Sequence, residues 1–111
     1  MSNRIILKQN DLLPVLVATV TNEDGTIVDL TNATAVKFSM RNQYTGTIKI
    51  SNIAGAFVVK ADGTISYTWA GSDTDTIGDY IAEFQITWPS SKLQTAPQKT
   101  NLYISIVDGV L

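Results

Sequence analysis

Three aspartates, Asp73, Asp75 and Asp79, fall close enough together to suggest a cation site. Calcium takes about six to eight oxygen ligands, which an EF-hand supplies from fixed loop positions. With Asp73 as position 1 of such a loop, Asp75 takes position 3 and Gly78 position 6, but Ile77 and Phe84 stand where two further oxygens are required. The carboxylates are instead expected to brace a turn through short hydrogen bonds to nearby backbone. Other chemistry is poorer still. No histidine and no cysteine are present, which removes the usual general base, the thiolate nucleophile and the commonest transition-metal ligands. The two glutamates are Glu23, in the expected turn Asn22-Glu23-Asp24-Gly25, and Glu83, on the outward face of a strand. They offer no legible carboxylate pair for glycoside hydrolysis, and no glycine-rich phosphate loop accompanies them. Asn32-Ala33-Thr34 matches a glycosylation sequon by chance, since no secretory leader is expected. The reading is a non-enzymatic chain with no cofactor and no metal.

The aromatic residues are the remaining chemical candidates, because exposed coplanar rings bind sugars. Tyr44, Tyr67, Trp69, Trp88 and Tyr103 are the members to place. Most fall in phase with core-facing strand positions, and Tyr44 and Tyr103 are the expected exposed exceptions.

These side chains must be held by one domain spanning 1–111. The chain of 111 residues is 44% hydrophobic and 16% charged, enough apolar surface to offset chain entropy and too short for two cores. Eight basic against ten acidic residues give no attraction to nucleic acid or anionic lipid. The opening Ile5-Ile6-Leu7 before Lys8 is too short for a signal peptide. Leu12 to Val20, broken by Pro14 and Thr19, falls well short of the roughly 20 residues of a membrane-spanning helix.

Apolar residues recur at every second position through most of the chain, which predicts strands. A long strand is expected from Pro14 to Thr21, and a half-buried one carries Val36, Phe38 and Met40 against Lys37, Ser39 and Arg41. Shorter strands are expected over Tyr44 to Ile50 and Ala56 to Lys60, with turns or bulges at Gly46 and Gly55. Asp62-Gly63 is the strongest hairpin signal. Tyr80, Ala82, Phe84, Ile86 and Trp88 form the strictest alternation, and Pro97 interrupts a last strand that resumes at Leu102, Ile104 and Ile106. The first strand, Arg4 to Lys8, and the last, Leu102 to Val107, are expected to end the sheets. Seven to eight antiparallel strands at spacings near ten residues predict an all-β, immunoglobulin-like β-sandwich, with a closed barrel as runner-up. The sandwich is favoured by Asp75, Gly78, Tyr80 and Ala82, which resemble a tyrosine corner. In that arrangement a tyrosine two positions before a core residue bonds back to the preceding loop.

Leu16-x-Ala18-x-Val20, Asp24-Gly25, Val28-Asp29-Leu30-Thr31 and Val36-x-Phe38-x-Met40 follow one another in the first half. Asp62-Gly63, Tyr67-x-Trp69, Asp73-Thr74-Asp75, Gly78-Asp79-Tyr80-Ile81-Ala82-Glu83-Phe84, Trp88-Pro89 and Thr95-Ala96-Pro97 complete the second. In order and spacing, from about Ile5 to Val107, these segments resemble the immunoglobulin-like N-terminal domain of the phage baseplate upper protein family. That resemblance implies a structural protein of a bacteriophage particle, made in the bacterial host cytoplasm and carried in the virion. Its partners would be other baseplate, tail or capsid subunits, or further copies of itself. Family members continue into stem and receptor-binding parts whereas this sequence stops at Leu111, so anchoring or decoration is expected rather than host recognition. The alternative is a carbohydrate-binding or adhesion module at the host surface. For assembly through strand edges, Ile5, Leu7, Tyr103 and Ile104 are the candidate interface residues.

Overall fold

The computed structural model describes residues 4–22, 24–97 and 102–109; the expected place of Glu23 in a turn lies outside them. Among the described residues the chain forms nine strands and two three-residue 3-10 turns. The strands are β1 (Arg4–Lys8), β2 (Leu16–Thr19), β3 (Ala35–Asn42), β4 (Ile48–Ala54), β5 (Ala56–Val59), β6 (Thr64–Tyr67), β7 (Gly78–Trp88), β8 (Lys92–Ala96) and β9 (Leu102–Val107). One sheet runs β1-β9-β7-β3-β4 with β8 beside β7, and the other runs β2-β6-β5. No closed barrel forms among the described residues.

Alternation places the core. Phe38 and Met40 on β3, and Tyr80, Ala82, Phe84 and Ile86 on β7, are buried, while Lys37, Arg41 and Glu83 face outward. On the smaller sheet Leu16, Ile65 and Tyr67 are buried with them in a single cluster. The two sheets meet through aromatic rings: Phe38 stacks on Tyr67 at 4.4 Å between centroids, Trp69 stands edge-on to both, and Phe84 packs 5.0 Å from Phe38. Each such side chain removed from water contributes about 1.5–3 kcal/mol, and the ring geometry adds roughly 0.5–1.5. Tyr67, Trp69 and the half-buried Trp88 therefore belong to the core or its margin, whereas Tyr44 is 77% exposed at the β3–β4 turn.

Two glycines fix where the chain changes direction. Gly63 closes the β5–β6 hairpin in the left-handed region, φ +66°, and a Cβ there would lie 2.6 Å from the Val28 carbonyl oxygen. Gly55 lies between β4 and β5, at the crossing from one sheet to the other, where a Cβ would come 2.8 Å from the Ser66 carbonyl oxygen. Only glycine fits such backbone approaches without displacement.

Several expectations need correction. The strand expected from Pro14 is ordered as strand only from Leu16 to Thr19, and the one expected from Tyr44 starts at Ile48, because Asn42 to Thr47 close a turn through the Asn42 side chain. Pairing is not wholly antiparallel, since β1 runs parallel to β9 from Arg4 opposite Tyr103 to Lys8 opposite Val107. The last strand consequently does not end its sheet; β9 lies between β1 and β7. Pro97, without an N–H to donate, does end β8. Phe84 faces Ala96 at the end of β8 and Ala82 faces Leu102 at the start of β9, so the two pieces pair with successive stretches of β7.

Candidate interaction edge

The acidic loop before β7 is a brace. Tyr80 Oη donates to the carbonyl oxygen of Thr76 at 2.8 Å, tying the strand entry to the loop four residues upstream. Gly78 lies beside this bond: a Cβ there would meet the Tyr80 ring and hydroxyl at 3.5 Å, an ordinary contact, and the Asn42 amide nitrogen at 3.3 Å. Ala82, two residues on, is buried between Met40 and Leu102. Asp75 takes no part in the tyrosine bond: its carboxylate accepts hydrogen bonds from Lys49 Nζ and the Thr76 hydroxyl. Those bonds, that from Lys49 foremost, hold its pKa below the ordinary value of 3.8.

The other two aspartates turn elsewhere. Asp73 accepts the Tyr67 hydroxyl at 2.6 Å and the Ala70 N–H at 2.9 Å. Asp79 accepts the Ser105 hydroxyl at 2.8 Å, with the Arg4 guanidinium 3.4 Å away. Three carboxylates with three separate partners do not converge, and no group of three or more acidic side chains able to hold a metal forms among the described residues. Sequence reasoning missed Thr74. Fully buried, it donates its hydroxyl to the Asp11 carbonyl and accepts the Asn10 N–H on its own carbonyl, so it pins the loop to the segment after β1. A lone threonine in an acidic loop has no periodicity to betray burial.

Of the four candidate interface residues, Ile104 and Leu7 lie in the core and Ile5 and Tyr103 are half-buried. The exposure of Ile104 is 0%, and Leu7 is buried beside it. Ile5 packs half-buried on the same cluster, and Tyr103 lies half-buried under the Arg4 guanidinium, 5.5 Å from its ring centroid. What β1 presents outward is Ile6, 63% exposed, between Arg4 and Lys8. Gln9 N–H reaches the Val107 carbonyl, so strand alternation turns the backbone of Ile5 and Leu7 toward β9 and that of Ile6 toward the open side.

Free edges are not equal. The β4 edge is broken by two register shifts against β3 and by Asn52 at φ +52°; the β5 edge is shifted between Phe57 and Val59. Bulges of this kind twist an edge away from further pairing. β2 is four residues long. β1 and β8, in contrast, each pair over five consecutive residues without a shift, β1 with β9 and β8 with β7, but β8 begins directly after the left-handed Ser90 and Ser91 and ends at Pro97. A cleft of about 350 Å³ lies across β3, β4 and β7, with Arg41 and Glu83 on its walls and Ile48, Ile81 and Pro97 among its lining. Ser39 and Ser51 line it as well, and the Ser39 hydroxyl is bonded to Asn52.

No family model, curated protein or solved structure matches the chain. Its functional reading therefore stands on its own geometry and on the resemblance of its motifs. Among the described residues, no helix is long and apolar enough to cross a membrane.

Proposed function

We propose that this chain is a non-enzymatic, immunoglobulin-like structural module of a bacteriophage particle that docks on other virion subunits through the open edge of β1. The observation that carries the docking reading is the regular five-residue ladder of β1, whose outer side meets no other strand among the described residues and has its Lys8 carbonyl bonded by the Asp11 N–H. β2 is shorter, the β4 and β5 edges are shifted, and the equally regular β8 runs between the left-handed Ser90-Ser91 pair and Pro97. An added strand gains backbone hydrogen bonds and burial of Ile6 together.

The immunoglobulin-like reading is supported by strand order. β2-β6-β5 corresponds to strands B, E and D, and β9/β8-β7-β3-β4 to G, F, C and C′ of a variable-type domain. The hydroxyl of Tyr80 bonding back into the loop agrees with it. The phage assignment rests on the ordered motifs from Ile5 to Val107.

The test begins with the genes beside the coding sequence and continues with purified particles. Head or tail morphogenesis genes and recovery of the chain from particles by mass spectrometry are expected. Ile6→Lys, which adds charge to the open edge without touching the core, should reduce incorporation several-fold at unchanged thermal midpoint. Full incorporation of the folded variant would sink docking through β1, and glycan binding by the isolated chain without incorporation would favour an adhesion module.

A further inference from the structure

The β1 edge also carries information about what pairs with it. On a chain of net charge -2, two of the eight basic residues lie at the ends of this one five-residue strand, while β9 beside it has none. Arg4, Ile6 and Lys8 share the outward face. The Arg4 end is held in place: its guanidinium lies near Asp79, bonds the Ser105 hydroxyl and covers the Tyr103 ring. Lys8, at the other end, is exposed.

Cross-strand neighbours directly opposite one another interact, favourably for opposite charges and unfavourably for like ones. A second copy meets this edge badly. Two-fold antiparallel pairing that uses all five residues sets Ile6 against Ile6 and, on both sides of it, Arg4 against Lys8. Registers that avoid the clash keep only part of the strand. We infer that the occupant of the β1 edge is an extended segment of a different subunit with an acidic residue, an apolar residue and an acidic residue at alternate positions. The apolar side chain then packs on Ile6, and the two carboxylates lie across from Arg4 and Lys8. This inference rests on the docking reading and adds the partner's chemistry to it.

The probes are two synthetic seven-residue peptides, Thr-Asp-Val-Ile-Val-Glu-Thr and its Lys-substituted counterpart Thr-Lys-Val-Ile-Val-Lys-Thr, titrated into the full chain while backbone amide resonances are followed. The acidic peptide is expected to shift the amides of Arg4 to Lys8, and the cationic one to leave them unmoved. Lys8→Glu, at an exposed position, should weaken the acidic peptide about five- to tenfold and admit the cationic one. Raising salt should weaken acidic-peptide binding as well. Equal binding of both peptides, binding at another edge, no binding at all, or concentration-dependent self-association through β1 would each overturn the inference. The two readings separate in particles. Incorporation reduced by Ile6→Lys but indifferent to Lys8→Glu leaves docking through β1 in place and removes the acidic partner, whereas indifference to both removes docking itself.

Discussion

Tyr80, buried at the start of β7, donates its hydroxyl to the carbonyl oxygen of Thr76, 2.8 Å away, and so closes the acidic loop onto the strand it precedes. Tyr80→Phe keeps the ring and removes the bond, which should cost about 1 kcal/mol. Tyr80→Ala also opens a cavity beside Gly78 and should cost roughly 3–5 kcal/mol. Denaturant midpoints measure both costs, and a Tyr80→Phe midpoint equal to that of the unsubstituted protein would show that the hydroxyl contributes nothing.

Tyr67 and Tyr80 both ionise above the ordinary phenol value of 10.0, chiefly because burial disfavours the phenolate; for Tyr67 the bond to Asp73 and that carboxylate's charge add to it. A folded value raised above the unfolded one contributes stability that is fully present below pH 10 and is lost as pH rises from there through the folded value. Ultraviolet titration should therefore show two late-ionising tyrosines coinciding with alkaline unfolding, and Tyr67→Phe or Tyr80→Phe should each remove one of them.

Asp75 behaves in the opposite sense. Its folded pKa is depressed by the Lys49 hydrogen bond and then by the Thr76 hydroxyl, so its contribution is present above 3.8 and is lost as pH falls through the lower folded value. Asp24 and Asp29 are lowered in the same way by the side chain and then the backbone of Thr26 and Thr31. Lys49→Met should move the Asp75 carboxyl titration, followed by carbon-detected resonance, up toward 3.8 while leaving Asp24 and Asp29 where they were.

Gly63 and Gly25 both have positive φ, yet only at Gly63 would a Cβ strike backbone, the carbonyls of Val28 and Val20. Gly25→Ala should cost about 1 kcal/mol for the left-handed conformation alone. Gly63→Ala should cost several times as much and loosen the β5–β6 hairpin, as read from its thermal midpoint and from amide exchange on β6. Similar losses in both variants would mean that the contact relaxes freely.

Much of this protein was legible residue by residue. Tyr80, Ala82, Phe84 and Ile86 are buried and Glu83 exposed because a strand turns alternate side chains to opposite faces, which any stretch of sequence displays by itself. Asp62-Gly63 announced its hairpin for a similarly local reason: few residues other than glycine accept the left-handed backbone found there. Alternation also assigned Tyr67 and Trp69 to the core and left Tyr44 outside.

What local pattern does not carry is which strands become neighbours. Ile104 and Ile6 are both isoleucines in short apolar strands, yet one is wholly buried and the other mostly exposed. Periodicity separates two faces of a strand but says nothing about its edges. Only the folded chain laid Arg4–Lys8 along Leu102–Val107, nearly the whole sequence away and in parallel, and so converted the expected last edge into an interior strand. The three aspartates followed the same division. Their types and spacing restricted them to turn bracing or cation binding, and the packing of β4, β6 and β9 around the loop sent them to Lys49, Tyr67 and Ser105. Side-chain type and alternation are properties of the chain, fixed by its covalent order. Strand adjacency is a property of the whole core, because each edge is filled by whichever distant segment buries its apolar face best there.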